Sequence, residues 1–288
     1  MEYIIFDLEW NNAYNYKLNK GINEIVEIGA VRLNENLEIV DTFKQLIKPR
    51  LSRKLTSRFK NLTHITMDEL KDNGIGFNEA FSDFARWATG RDVVFLSWST
   101  SDLYTLVDNF KFFKQLSIIP FMEKYADAQQ YCMQFVQEDK GKQISLANCA
   151  SCFNIDIDTS NLHRALEDCY VTAYCFKKVF DRERFEECIV NCDKAFFERL
   201  VFKPYYIRTI NNNLFDIYAV KLSCPECSGS VKVLRDYAVE NGAFKNAGQC
   251  KECKKKFWVF VRAKKTYDDI VIYKRLVSIN KKRAKKIS

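Results

Sequence analysis

Near the start of the chain four mostly apolar residues run straight into two acids, in the stretch "YIIFDLEWNN" from Tyr3 to Asn12. Its branched and aromatic composition is that of a buried strand. Burying an unpaired carboxylate is costly, so a strand that ends on Asp7 and Glu9 needs something to neutralise them. Residues two apart in a strand project from the same face, so Asp7 and Glu9 point together while Leu8 points into the opposite layer. Two carboxylates on one face can share a divalent cation. The competing reading is a pair of solvated acids on an edge strand.

Two more strand-like runs follow, "EIVEIGAVRL" (24–33) and "EIVDTFKQLIK" (38–48). Short polar segments such as "NENL" separate them, which predicts a meander. "FNEAFSDFARWA" (77–88) repeats apolar residues at helical spacing. "DVVFLSW" (92–98) reads as a strand and "SDLYTLVDNFKFFKQL" as a helix after it. "ISLANCASCFNI" (144–155) and "HRALEDCYVTAYCFKKVF" (163–180) read as further helices. Strands followed by alternating β and α elements predict a three-layer α/β domain over 1–182. An amphipathic connecting helix is expected over 183–202, a small basic β-rich domain over 203–279 and a basic tail, "KKRAKKIS", over 280–288.

With 47% hydrophobic residues the chain can build a core, so it is not a disordered polymer. No apolar run approaches the ~18 residues of a membrane-spanning helix. The N-terminus carries no basic segment before its short apolar run and reads as a strand rather than a secretory leader. A cytoplasmic location is expected, and there eleven cysteines imply core thiols or metal ligands rather than disulfides.

"CPEC" (224–227) and "CKEC" (250–253) supply two C-x2-C pairs. Four thiolates from two such loops make a closed tetrahedral Zn²⁺ site, here Cys224, Cys227, Cys250 and Cys253, within a zinc ribbon. A unit this small needs such a staple. "CASC" (149–152) has no second pair nearby and sits in a helical pattern, so it is read with Cys169, Cys175, Cys188 and Cys192 as packed thiols. Charge is unevenly placed. Residues 1–199 hold 25 Lys and Arg against 30 Asp and Glu, a balance of −5, and residues 200–288 hold 20 against 7, a balance of +13. Lysines 254–256, Arg262, Lys264 and Lys265 interleave with Phe257, Trp258 and Phe260. That mixture suits phosphates and bases, although a zinc ribbon can also dock a protein.

Two more features join the first pair of acids. "FLSWSTSDLYTL" places Asp102 just past a buried strand, at a helix start. "HRALEDCYVTAYC" places His163 at or before a helix start and Asp168 on its first turns, with Glu167 read as a solvent acid. The order of Asp7-Leu8-Glu9, Asp102, and His163 with Asp168 five residues on resembles the DEDDh family of 3′–5′ exonucleases, which has the RNase H-like fold. Intervening segments resemble the Eri-type and KapD-like exoribonucleases. Among them are "EIVEIGAVRLNENLEIVDTFKQLIKP", "LTHITMDEL", with His64 where the family has glycine, and "LSWSTSDL". The resemblance covers about residues 1–182.

It implies hydrolysis of phosphodiesters from 3′ ends of single-stranded RNA or DNA, RNA preferred, with two Mg²⁺ or Mn²⁺ ions. Asp7 would bridge both metals. Glu9 and Asp168 would hold one of them, Asp102 would assist the other through water, and His163 would be the general base. Trp98 is a stacking candidate by resemblance and Trp10 a second one, either of which could instead pack in the core. Backbone groups at Leu8 and Glu9 would contact the terminal ribose. His64 would line the pocket unless it is an ordinary helix-end histidine. The alternative is a non-catalytic nucleic-acid-binding protein or protein-interaction adaptor that uses the zinc ribbon.

Overall fold

The computed structural model describes residues 1–15, 19–90, 92–136, 143–157 and 163–279. The basic tail expected at 280–288 lies outside them. The chain divides into two compact units, Met1–Val201 and Phe202–Ser288.

Three antiparallel strands open the first unit: β1 (Glu2–Asn15), β2 (Lys20–Leu33) and β3 (Ile39–Leu46). β1 pairs in parallel with β4 (Val93–Ser97), and β4 in parallel with β5 (Lys124–Asp127). β6 (Val190–Asn191) closes the far edge antiparallel, giving a mixed sheet of order β3-β2-β1-β4-β5-β6. Helices α1 (Ser57–Thr63), α2 (Met67–Asn73) and α3 (Phe77–Trp87) precede β4, and α4 (Ser101–Lys114) joins it to β5. After β5 come α5 (Ala128–Met133), α6 (Leu146–Cys152), α7 (Ala165–Val179) and α8 (Arg182–Glu186), and α9 (Lys194–Val201) ends the unit.

Alternation along β1 builds the layers. Ile4, Phe6 and Leu8 enter one core with Phe81 and Phe84 of α3, Leu106 and Phe110 of α4, and Phe197 of α9. Tyr3 and Ile5 enter the other with Tyr131 of α5, Cys149 of α6, Cys169 and Phe176 of α7, and Phe185 of α8. The three-layer prediction holds, with helices on both faces of the sheet. Asp7 and Glu9 continue the second row on the part of β1 beyond its pairing with β4, and the strand does not end on them as expected but runs on beside β2 to Asn15. α7 crosses that row over Gly29 of β2. A Cβ on Gly29 would overlap the backbone of Ala165 and Leu166, so the close approach requires glycine.

The continuous connecting helix expected over 183–202 is not present. Asp181 caps α8 and Asp193 caps α9, each accepting a backbone N–H. Between them Val190 and Asn191 pair with Tyr125 and Lys124. Phe185 and Phe197 are both fully buried but on opposite faces of the sheet, which no single straight helix could achieve. The segment therefore belongs to the first unit.

The second unit is a sheet of order β12-β11-β10-β8 formed by β8 (Val231–Val233), β10 (Ala243–Cys250), β11 (Lys256–Lys265) and β12 (Ile270–Ser278). β7 (Tyr205–Ile207) pairs with β11, and β9 (Ala238–Glu240) with β10. Val231–Val233 and Ala238–Glu240 do not join into one strand, and Trp258 lies near the break between them, covered by Arg235. Phe257, Val259, Val261 and Ala263 alternate into a core of twelve buried residues.

Candidate active site

The carboxylates arrive on three elements. Asp7 and Glu9 stand on β1, Asp102 on the first turn of α4, and Asp168 on the first turn of α7. Oxygens of Asp7, Glu9 and Asp168 lie within 4.8 Å of one another. Asp102 is buried and held from the β1 side, where the Leu8 N–H donates to its Oδ1 at 3.2 Å. His163 precedes α7 with φ of +74°, and its backbone N–H donates to Asp168 Oδ1 at 3.3 Å. Its side chain is exposed and lines a groove of about 390 Å³ with Glu9 and Trp10.

Electrostatics identify what the cluster lacks. Asp7 is pushed well above the usual carboxylate range by burial, and then by the charges of Asp102, Asp168 and Glu9. Glu9 is pushed up to about 9, by burial first and Asp168 second. Burial raises Asp102 to about 7 although the Leu8 N–H opposes the rise. Burial also raises Asp168, against the pull of the His163 N–H. Among the described residues no Lys or Arg forms an ion pair with any of the four. Oxygen donors so close together and unpaired suit a hard divalent cation such as Mg²⁺ or Mn²⁺.

The guanidinium of Arg164, whose charge partly opposes the rise at Glu9, is already committed. Glu27, fully buried on β2 opposite Glu9, accepts from Arg164 Nε at 3.1 Å and Nη2 at 2.7 Å, and from the Ala165 N–H at 3.3 Å. This pair ties the start of α7, and with it His163 and Asp168, to the sheet beside Glu9. Glu167 is not the free solvent acid expected. Its Oε1 lies 3.7 Å from Lys44 Nζ, which also approaches Glu27 at 3.9 Å.

A second buried network sets the groove wall. Glu24 accepts the N–H groups of Arg50, Leu51 and Ser52 at 2.6–2.8 Å. Asn11 accepts from the Thr56 N–H at 2.9 Å and donates to Ser52 Oγ and the Lys54 carbonyl. These bonds fix the loop before α1, which lines the groove with Thr56, Arg58, Phe59 and Thr63. Asn109 accepts the Ile25 N–H and so steadies β2, whose register with β1 shifts between Glu9 and Trp10.

Trp10 lines the groove and also packs at the edge of the first core, and Trp98 is half-buried at the edge of the second. Leu8 is a core residue whose backbone serves Asp102. His64 is the exposed left-handed cap of α1, and it is its neighbour Thr63 that lines the groove.

In the second unit Cys224 and Cys253 Sγ are 3.7 Å apart, and Cys227 and Cys250 Sγ 3.5 Å. Thiolates at about 2.3 Å around a tetrahedral ion would stand about 3.8 Å apart. The spacing fits a shared metal. Each loop turns through a left-handed residue directly after its second cysteine, Ser228 and Lys254. Cys224 and Cys250 are buried, and Cys227 and Cys253 exposed.

Residues 4–176 match the exonuclease family RNase_T. The chain belongs to that family. Its probable 3′–5′ exonuclease relative KapD, from Bacillus subtilis strain 168, is 25% identical over 162 residues, covering 56% of this chain and 75% of KapD. A PolC-type DNA polymerase III from the same organism is 27% identical over 177 residues, which are 62% of this chain but 11% of the polymerase. Among solved structures, the nuclease domain of 3′hExo, a DEDDh family member bound to rAMP, superposes with a TM-score of 0.53 at 21% identity. That match covers 67% of this chain and 96% of the domain, and it shows a shared fold. No helix among the described residues is long and apolar enough to cross a membrane.

Proposed function

We propose that this RNase_T family member is a metal-dependent 3′–5′ exonuclease of single-stranded nucleic acid, with RNA preferred. The observation that carries the reading is the cluster of Asp7, Glu9 and Asp168, which among the described residues makes no ion pair with a Lys or Arg, together with the groove that Glu9 and His163 both line. Asp7, Glu9 and Asp168 would hold a divalent cation, and Asp102 would assist a second. When bound, two such ions supply neutralising charge, a more acidic water and a stabilised leaving oxygen.

The chain's own groups do the rest. His163, whose side chain is exposed at the groove, takes the proton of the attacking water. The Asp168 carboxylate holds the His163 backbone, and the Glu27–Arg164 pair holds the turn that carries both. Trp10 offers a face to the terminal base, and Arg58 on the groove wall offers a cation to a phosphate. Family relatives that handle rAMP and DNA support nucleic acid of either sugar, and the Eri-like segments favour RNA. In the second unit the four cysteines would hold one Zn²⁺ as a closed structural site.

The test is a 5′-labelled single-stranded oligonucleotide incubated with Mg²⁺ or Mn²⁺. A ladder shortening from the 3′ end, faster on RNA than on matched DNA, is expected. A shifted but intact band would favour a non-catalytic binder and overturn the proposal.

A further inference from the structure

The second unit has an outward sheet face that its core does not use. Along β11 the residues alternating with Phe257, Val259, Val261 and Ala263 are Trp258, Phe260, Arg262 and Lys264. Strand register sets cations beside aromatics on this face. Phe260 stands between Lys245 of β10 and Arg275 of β12, and Arg262 stands opposite Tyr273. A pocket of about 370 Å³ opens here, lined by Phe260, Arg262, Tyr273 and Arg275 together with Glu240 and Asn241. Glu240, its one acid, is paired with Lys245 at 2.6 Å. Trp258 is covered by Arg235 and Lys245, whose charged groups lie 5.3 and 4.8 Å from the ring centre. Phe260 is half-buried, with Lys245 Nζ also 5.9 Å from its ring centre, whereas Tyr273 is 50% exposed, so Tyr273 offers the open ring face. Among the described residues neither Arg262 nor Arg275 makes an ion pair.

We infer that this face binds single-stranded nucleic acid, with a base in the pocket against Tyr273 and phosphates on Arg262 and Arg275. The choice of occupant rests on the nuclease reading of the first unit and on charge complementarity. From Phe202 onward the chain holds 20 Lys and Arg against 7 Asp and Glu. Free guanidinium groups match phosphate geometry. Open aromatic faces stack any base. An acidic peptide would use the cations and leave the rings idle.

The test uses full-length protein carrying Asp7→Asn, so that the strand survives the measurement. Binding of a fluorescein-labelled oligouridylate is followed by anisotropy over a salt series. Tyr273→Ala should weaken binding about 5- to 150-fold, the range for losing one stacked base. Tyr273→Phe should retain wild-type affinity. Arg262→Ala combined with Arg275→Ala should flatten the slope of log K against log salt by about 1.4, or about 0.7 for each lost phosphate contact. If that double variant misfolds by circular dichroism, Arg275→Gln alone, at an exposed position, should flatten it by about 0.7. Unchanged affinity in Tyr273→Ala would overturn the inference. So would competition by polyglutamate as strong as that by unlabelled oligonucleotide, which would point to an acidic protein partner. Failure of wild-type protein to release nucleotides would instead defeat the nuclease reading, and it is read in a separate assay.

Discussion

Asp7, Glu9 and Asp168 meet where α7 crosses the middle of β1 in a large sheet, whereas Cys224, Cys227, Cys250 and Cys253 meet between two tight loops of a small one. The first set is made of hard oxygens and reaches a groove through Glu9, and the second is soft and closed on itself. Their hosts differ too. The carboxylates sit at the margin of two extensive cores that do not include them. Two of the four cysteines, Cys224 and Cys250, are among the twelve residues that make up the other core. Metal at the first site should therefore relieve repulsion in a fold that already stands. Metal at the second should be part of what makes the fold stand.

The widest separation between the two should come from Asp7→Ala. Turnover should vanish while circular dichroism and zinc content stay at wild-type levels. Retention of more than about a tenth of the activity would count against a shared metal at this position. His163→Ala comes next, with an expected loss of about 10²–10⁴ in rate, as for a positioned base. Calorimetry should find Mn²⁺ affinity preserved in that variant. A loss as large as that in Asp168→Ala would make His163 a ligand.

Cys224→Ser with Cys227→Ser probes the other side. Elemental analysis should show one zinc lost per chain, and the second unit should melt at a lower temperature while the first keeps its own transition. Protein prepared without chelators that contains no zinc would break the comparison outright.

The smallest effect is on pH dependence. Glu9 is raised to about 9 and Asp102 to about 7, both well above their ordinary values near 4. Between those limits the folded protein binds more protons than the unfolded chain. The stability these groups contribute is whole at the acid end and is lost as pH rises through 7 and then 9. Without added divalent cation the melting temperature of the first unit should fall across that window, and saturating Mg²⁺ should flatten the fall. A melting temperature that rises with pH would show that the carboxylates are neutralised in some other way.

What could be read in advance follows the geometry of these two sites. Asp102, His163 and Asp168 lie where a helix begins, and Asp7 and Glu9 interrupt an apolar run in the middle of β1, so broken periodicity exposes them. The cysteines announce themselves by pairing within four residues. Glu24 and Glu27 do not stand out, because "EIVEIGAVRL" reads as ordinary alternation and only the tertiary fold buries both acids. Arg164 was in plain view beside His163, but its partner lies 137 residues away. β5 and β6, at four and two residues, are too short to leave a pattern. β10 carries Asn246 at a fully buried position, where its Nδ2 donates to the Arg235 carbonyl at 2.6 Å, and this polar residue hides the strand.

Gly29 bears no functional group and lies on neither metal set, yet it governs one of them. α7 can rest against β2 only because one methyl group is missing there. Adding it by Gly29→Ala would lift the N-terminal end of the helix from the sheet, carrying Asp168 away from Asp7 and Glu9 with every ligand still present. A mutational screen would then record a dead enzyme at a silent-looking position. The tolerance of this chain to sequence drift is thus set in part by a gap in atoms rather than by the residues that do chemistry.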